Sequence, residues 1–219
     1  MKAIFVAGTG TDLGKTHIAC ALLRAVRARS LSADAFKPVV SGFDPTEPET
    51  SDPARLATAL GRPDAWAEIS PRRYRAPLAP NLAARLEGDT LHMADLVADC
   101  KAWLADRDVA LALIEGAGGV MSPMTDDATN LDLMTALGLP VLLVAGSYLG
   151  TASHLLTALE VLRSRGLTVA AIVVSESLDA PDLDQTVAML RAFERTTPII
   201  VAPRVADWDA RELVKLALS

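Results

Sequence analysis

The sequence predicts a doubly wound α/β fold, in which a mostly parallel sheet is covered by helices on both faces. Apolar runs of strand length alternate along the chain with segments whose apolar residues recur at helical spacing. These runs lack the polar alternation of a half-exposed strand, which indicates strands that are buried on both faces. Only 4% of the residues are aromatic, which favours helices packed closely on a sheet over an aromatic-rich β-sandwich.

The predicted elements alternate from the start of the chain. Residues 3–7 form an apolar strand, and Ile18, Leu22 and Val26 in residues 15–29 recur on one face of a helix. Further strands are predicted at residues 33–39, 109–115, 141–145, 168–174 and 199–201. Further helices are predicted at residues 53–60, 93–105, 130–137, 151–165, 183–195 and 209–218. Residues 41–53 are expected to be a surface loop and residues 71–80 a second irregular stretch, because both are rich in proline and charge.

Length, charge and cysteine spacing restrict the class of protein. No repeat or linker divides the 219 residues, so residues 1–219 are predicted to form a single domain. With 21 Lys and Arg against 27 Asp and Glu, the formal charge is −6, and no nucleic-acid partner is expected. The longest nearly apolar stretch, residues 136–146, is too short to span a bilayer, so no membrane association is predicted. Cys20 and Cys100 lie far apart and no secretory leader pattern is present, which predicts a cytoplasmic protein without a disulfide framework.

A phosphate-binding loop is the strongest functional motif. The sequence Gly8-Thr-Gly-Thr-Asp-Leu-Gly-Lys-Thr16 lies between the first strand and the first helix, where backbone N–H groups can face an anion. In such loops the lysine contacts the outer phosphates and the next hydroxyl binds Mg²⁺, which predicts a fold of P-loop NTPase type. The loop is a variant, since Thr9 stands where the strict pattern has glycine. The residues expected to hold the nucleotide are Gly10, Thr11, Asp12, Leu13, Gly14, Lys15 and Thr16.

The same glycines also suggest a dinucleotide-binding turn. The GxGxxG pattern would need its third glycine at Leu13, and the second strand is followed by Lys37 rather than by the acidic residue that contacts an NAD ribose. No Tyr-x-x-x-Lys pair accompanies the turn. Nucleotide redox chemistry is therefore disfavoured.

Charged residues at strand ends are candidates for the same crevice. Lys37 and Glu115 end two predicted strands, and the carboxyl ends of parallel strands share one edge of a sheet. A carboxylate in the position of Glu115 is typical of a Mg²⁺ ligand, and residues 116–119 predict a glycine-rich turn that a ligand can approach closely. Other interpretations remain open, since Lys37 could be a solvated lysine, Glu115 a helix cap, and Asp52 the N-cap of the helix that follows it.

These blocks together resemble the dethiobiotin synthetases. The resemblance rests on the phosphate loop, Phe36-Lys-Pro-Val-Val-Ser-Gly42, Ser51-Asp52, Glu115-Gly-Ala-Gly-Gly119, and Leu149-Gly150 with His154, in that order. It extends from Gly8 to about Gly166 and is weaker afterwards. It implies an ATP- and Mg²⁺-dependent homodimeric enzyme of biotin synthesis, which closes a ureido ring from CO₂ and 7,8-diaminononanoate.

The resemblance also implies roles for single residues. Lys15, Lys37 and Thr11 would be catalytic, and Thr16, Asp52 and Glu115 would bind Mg²⁺. The implied substrate residues are Thr11, Lys37, Ser41, Gly118 and Gly119, with a helix N-terminus of the partner subunit that matches Leu149, Gly150 and Thr151. The sequence departs from the family at Ser175, where an asparagine often contacts adenine, at Tyr148 in place of a lysine, and at Ala79-Pro80-Asn81 in place of Ser-Pro-His.

Two other ATP-dependent classes compete with this interpretation. A MinD-like switch ATPase carries a signature lysine five residues before the loop lysine, where this sequence has Gly10, and residues 207–218 lack a basic membrane-targeting face. An amidating synthase of cobyrinate type would need an ammonia source, and no glutaminase segment accompanies the chain. A nucleotide-binding module without chemistry would leave Lys37 without a role.

Overall fold

The main sheet consists of parallel strands in the order that a doubly wound fold requires. The computed structural model describes residues 1–178, 180–205 and 208–219. Its strands are β1 (Lys2–Gly8), β2 (Ala33–Phe36), β3 (Val39–Ser41), β4 (Arg72–Tyr74), β5 (Leu111–Gly119), β6 (Val141–Gly146), β7 (Val169–Ser175) and β8 (Ile199–Ala202). The sheet has the order β2-β5-β1-β6-β7-β8, and each neighbouring pair is parallel. This topology confirms the predicted fold class.

Helices cover both faces of this sheet. They are α1 (Lys15–Arg27), α2 (Asp52–Ala59), α3 (Trp66–Ile69), α4 (Pro80–Leu86), α5 (Met93–Ala105), α6 (Asn130–Leu137), α7 (Thr151–Ser164), α8 (Leu183–Phe193) and α9 (Arg211–Leu218). In β1, Ile4 and Val6 pack towards α1, α2 and α9, whereas Phe5 and Ala7 pack towards helices α4 to α8. Side chains alternate between the faces of a strand, so the continuous apolar runs serve two cores. Within the described residues, no helix has both the length and the apolarity needed to cross a bilayer.

The strand predicted at residues 33–39 is wrong beyond Phe36. The Lys37 N–H donates to Ile69 O at 2.8 Å, outside the main sheet, and Pro38 has no N–H to continue a ladder. The chain then forms β3, which pairs in parallel with β4 in a separate two-stranded sheet. The stretches predicted as loop and as irregular therefore contain ordered structure, namely β4, the last residue of β3 at Ser41, and the starts of α2 at Asp52 and of α4 at Pro80. These short pairings depend on contacts between distant segments, so local composition does not reveal them.

The turn predicted at residues 116–119 is also wrong, because β5 continues through Gly119. The register of β5 against β1 shifts there: Val6 is opposite Glu115, and Gly8 is opposite Gly119. Only Ala7 lies between Val6 and Gly8, so residues 116–118 form a bulge in β5. Gly118 has a φ of 68°, which a non-glycine residue rarely adopts. The remaining predicted helices and strands are present, with ends that differ by a few residues, such as α1, which ends at Arg27 instead of residue 29.

Candidate functional site

The phosphate loop has the expected strand–loop–helix context. β1 ends at Gly8 and α1 begins at Lys15, so the first N–H groups of α1 face the loop. Gly14 immediately precedes α1 with a φ of 90°, in the left-handed region where glycine is unstrained. A Cβ at this position would lie 2.9 Å from Ser175 Oγ, at the end of β7. The backbone conformation thus favours glycine at residue 14, and a larger residue there would displace Ser175 Oγ.

Lys15 occupies the inside of the loop. Its Nζ donates to Gly10 O at 3.0 Å, and its side chain is buried. Burial lowers the pKa of Lys15, and the nearby Lys37 ammonium lowers it further. This positive charge is therefore poorly compensated by the protein, which is the situation that a bound phosphate would relieve.

Lys37, Asp52, Glu115 and Thr16 form a compact polar cluster behind the loop. Lys37 Nζ lies 2.6 Å from Glu115 Oε1 and 3.0 Å from Asp52 Oδ2, and Thr16 Oγ1 donates to Glu115 Oε1 at 2.7 Å. Burial alone would lower the pKa of Lys37, but the two carboxylates outweigh burial and raise it. Burial would raise the pKa of Asp52, but Lys37, Thr16 and Lys15 together outweigh burial and lower it. Lys37 and Asp52 are thus both ionised at neutral pH.

The structure decides the interpretations that the sequence left open. Lys37 is only 3% exposed, so it is not a solvated surface lysine. Asp52 is the first residue of α2, and the N-cap is Ser51, whose Oγ accepts from the Ala54 N–H at 3.4 Å. Glu115 is fully buried inside β5 and caps no helix. The solvated-lysine and helix-cap interpretations are therefore excluded for these three side chains.

The donor set suits Mg²⁺. Glu115 Oε2 is buried and has no hydrogen-bond partner in the described part of the chain, so it can accept a cation. Two carboxylates and the Thr16 hydroxyl supply the hard oxygen ligands that this ion prefers. The described residues contain no cluster of three or more His, Cys, Asp and Glu side chains that would hold a metal alone. An ion here would need further oxygen ligands, which phosphate groups and water can supply.

A cavity of about 730 Å³ lies between the loop, α2 and the ends of β5, β7 and β8. Predicted site residues that line it are Thr11, Asp12, Leu13, Gly14, Lys15, Thr16, Lys37, Ser41, Asp52, Gly118 and Ser175. Glu115 lies behind this wall, where it contacts Lys37 and Thr16. Gly10 and Gly119 pack against each other, since a Cβ on Gly119 would lie 3.2 Å from Gly10 Cα. The structure therefore brings one set of predicted residues together at the carboxyl end of the sheet.

The predicted residues Leu149, Gly150 and Thr151 do not line this cavity. They lie between β6 and the start of α7, where Leu149 is 92% exposed. Thr151 Oγ1 donates to Gly146 O at 2.6 Å, so this hydroxyl is already used within the chain. Beside them, Tyr148 Oη and His154 Nδ1 lie 2.7 Å apart. Within one chain these residues form a separate surface.

Three basic side chains at the cavity were missed in the sequence. Arg55 and Arg204 line it together with His17, whose buried Nε2 has no partner in the part of the chain that is described. Burial lowers the pKa of His17, and the charges of Arg24, Arg55 and Arg204 lower it further, which keeps the ring neutral. The spacing of Arg55 from Asp52 was an available signal, because residues three apart share a helix face. Arg204 follows β8 in a stretch that carries no motif, so the sequence offered no signal for it.

Gly14→Ala is expected to weaken ADP binding about tenfold, because alanine is strained at positive φ and its methyl would contact Ser175 Oγ. Calorimetric titration of ADP in the presence of Mg²⁺ measures this change. Gly88→Ala is the matched control, since Gly88 has a φ of 76° but open space around its Cα. The control should lose a similar amount of stability and keep its ADP affinity. Equal ADP affinity in both variants would contradict the close approach of ligand and loop at Gly14.

Comparison with known proteins agrees with this geometry. A family model described as an AAA domain matches residues 2–211. The chain is 77% identical, over the full length of both proteins, to the ATP-dependent dethiobiotin synthetase BioD of Caulobacter vibrioides. It is 62% identical to the protein of the same name from Caulobacter sp. strain K31, over 97% of this chain and 93% of that one.

Solved structures with similar folds are distant in sequence. The MinD cell division protein of Aquifex aeolicus has a TM-score of 0.52 at 10% identity, over 100% of this chain and 86% of that one. A nucleotide-binding protein of Archaeoglobus fulgidus in complex with ADP has a TM-score of 0.53 at 13% identity, over 99% and 85%. At these identities the likeness concerns the fold alone.

Proposed function

The chain belongs to the dethiobiotin synthetase family, and from this premise we propose how its residues carry out ATP-dependent closure of the dethiobiotin ureido ring. The substrates are 7,8-diaminononanoate, CO₂ and ATP, and the products are dethiobiotin, ADP and phosphate. The observation that carries the assignment is the ion-paired cluster beside the phosphate loop, in which Lys37 and Asp52 line the cavity and Glu115 lies behind them. A nucleotide-binding module without chemistry would have no need of it.

The reaction requires positive charge more than a covalent catalyst. One substrate amine adds to CO₂ and loses a proton to give a carbamate. A carbamate oxygen then attacks the γ-phosphorus, and the bond from that phosphorus to the bridging oxygen of ADP breaks. The second amine attacks the carbamoyl carbon, loses a proton and expels inorganic phosphate, which closes the ring. Negative charge moves along this sequence, and lysines and backbone N–H groups held in place stabilise it.

Each charged residue has a place in this scheme. Lys15 and the N–H groups of the loop would hold the outer phosphates, and Lys37 would stabilise the carbamate and the transferred phosphoryl group. Thr11 and Ser41 line the same cavity and would donate hydroxyl hydrogen bonds to the carbamate, beside Gly118 and Gly119. Ser175 Oγ stands at the proposed nucleoside end, where it offers a single hydroxyl.

Thr16, Asp52 and Glu115 would hold Mg²⁺ through their oxygens. When bound, this ion neutralises charge on the nucleotide phosphates. The Lys37 ammonium contacts Glu115 Oε1 and Asp52 Oδ2. The two carboxylates would therefore also keep this buried lysine charged and in place beside the substrate.

The proposed assembly is a homodimer in the cytoplasm. The exposed Leu149 and the first turn of α7 would meet the partner subunit, where free N–H groups at the helix N-terminus would bind the substrate carboxylate. Cys20 and Cys100 are free and buried, which suits a reducing compartment that also supplies ATP. α9 packs its apolar residues into the core beside α1, which does not suit a membrane-targeting helix.

Phosphate release by the purified protein tests the function. With ATP, Mg²⁺ and bicarbonate, release should require 7,8-diaminononanoate, and mass spectrometry should find a product in which one carbonyl joins the two amines. Omission of bicarbonate and removal of dissolved CO₂ should abolish product formation. Phosphate release that is indifferent to the diamine would reject the synthetase assignment in favour of a switch ATPase.

A further inference from the structure

Asn130 is a fully buried polar side chain outside the catalytic cluster. It is the first residue of α6, and its Nδ2 donates to Ala117 O and to Gly119 O, each at 3.3 Å. Its backbone N–H donates to Ser122 O at 2.9 Å. Asn130 is therefore bonded on two sides to the end of β5 and the turn that follows it.

The capping of helix α6 does not explain why the Asn130 side chain is buried here. The N-cap is Thr129, and a capping box is complete, since the Thr129 N–H donates to Asp132 Oδ2 at 2.8 Å. The amide of Asn130 points instead to the segment 116–119, here called the glycine segment. A buried polar group lowers stability unless it is hydrogen-bonded. The partners of this amide lie in the glycine segment and not in α6, so the amide stabilises that segment.

The glycine segment needs support because it is bulged. Ala117 and Gly119 lie beyond Ile114, the last residue of β5 that pairs with β2, so β2 offers their carbonyls no partner. A Cβ on Gly116 would lie 2.6 Å from Asn130 Nδ2 and 2.9 Å from Phe5, so the amide fills the space that Gly116 leaves. The Nδ2 group of the amide is therefore matched to the bulge, whereas Oδ1 has no hydrogen-bond partner among the described residues.

The position of the glycine segment affects the site because its two ends contact different parts of it. Ala117 and Gly118 line the cavity, and Gly119 packs on Gly10 of the phosphate loop. The Gly119 N–H also donates to Ser122 Oγ at 2.7 Å. Gly119 is therefore held by Ser122 through its N–H and by Asn130 through its carbonyl. A shift of the Ala117 carbonyl would move the wall at Gly118 while the loop stays anchored at Lys15 and α1.

We propose that Asn130 is a positioning residue that sets the cavity wall at Ala117 and Gly118 for the diamine, and thereby determines affinity for that substrate and not for the nucleotide. This inference rests on the proposed function, because it assigns the wall to the diamine. It concerns a residue that does not line the cavity, and it follows from the two carbonyl hydrogen bonds and the complete cap of α6.

Steady-state kinetics with separate titrations of diamine and ATP test the proposal. Asn130→Ala should raise KM for 7,8-diaminononanoate about tenfold, whereas KM for ATP and calorimetric ADP affinity should change less than about threefold. Asn130→Ser keeps a hydroxyl donor and should give an intermediate KM for the diamine, and it serves in place of the alanine variant if that protein does not fold. Met134→Ala is the control, because Met134 is buried one turn further along α6 and its loss should lower the thermal midpoint without a selective change in KM.

The possible failures are distinguishable. If the wild-type protein releases phosphate without the diamine, the proposed function fails before the variants are compared. If the wild-type protein is diamine-dependent but the Asn130 variants lose ATP and diamine affinity equally, or resemble Met134→Ala, Asn130 is only a core residue and the inference is wrong.

Discussion

Lys37→Met is expected to lower kcat of diamine-dependent phosphate release by about 10²- to 10³-fold, with a smaller change in KM for ATP. The methionine keeps the length of the side chain and removes the charge that the transition state needs as negative charge moves from the carbamate to phosphate. It also leaves Glu115 and Asp52 without their ammonium partner. Single-turnover phosphate release measures the chemical step directly. Lys101→Met, on the exposed side of α5, is the control.

A second measurement on the same variant separates catalysis from folding. Because Lys37 shares oxygens with the proposed Mg²⁺ site, Lys37→Met should bind Mn²⁺ more tightly than the wild-type protein in the absence of nucleotide, as read by electron paramagnetic resonance. A merely misfolded variant would bind the ion less tightly. Unchanged turnover with full diamine dependence would remove Lys37 from the mechanism.

Glu115→Gln is expected to lower activity at least about 10²-fold and to raise the Mg²⁺ concentration needed for half-maximal rate by about tenfold or more. Glutamine keeps the shape of the side chain but has one neutral oxygen where the carboxylate has two charged ones. The Lys37 ammonium then keeps only Asp52 as a counter-charge in a buried place, so the thermal midpoint should also fall in the absence of ligands. Titration with Mg²⁺ and with Mn²⁺ measures the metal requirement.

Glu194→Gln is the matched control for the removal of the buried Glu115 carboxylate. Glu194 is also buried, but it lies after α8, where its carboxylate accepts from Thr196 and pairs with Arg163. This control should lose stability and keep the wild-type metal titration. A wild-type titration curve for Glu115→Gln would show that its carboxylate does not bind the ion and serves only to hold Lys37 and Thr16 in place.

The sequence was most informative where the signal is local. The phosphate loop could be recognised because strand, loop and helix N-terminus follow one another within residues 2–27, so composition and spacing specify their geometry together. The continuous apolar strands predicted helices on both faces for a similar reason, since side-chain alternation within each strand decides which faces are buried. The same reasoning identified Lys37 and Glu115 as candidates, because strand ends of a parallel sheet share one edge.

The sequence was misleading where pairing between distant segments overrides local preference. Residues 116–119 contain three glycines and predict a turn, yet pairing with β1 keeps them in β5 as a bulge. Pro38 ended β2 early, and the next residues paired with β4 inside a stretch that composition assigned to a loop. The residue pattern within one segment does not show which distant segment it pairs with.

By itself, the sequence determined the doubly wound fold, the nucleotide loop and, through its resemblance, the family, and it predicted Lys37, Asp52 and Glu115 as site residues. Tertiary structure alone decided that Lys37, which follows β2, lies within hydrogen-bond distance of both Asp52 in α2 and Glu115 in β5. It also decided that Ser51 rather than Asp52 caps α2, and that Asn130 supports the glycine segment. The physical reason is the range of the interactions. Propensity, capping and loop motifs act over a few residues, whereas a buried ion cluster and the support of a bulge arise from packing between elements that are distant in the chain.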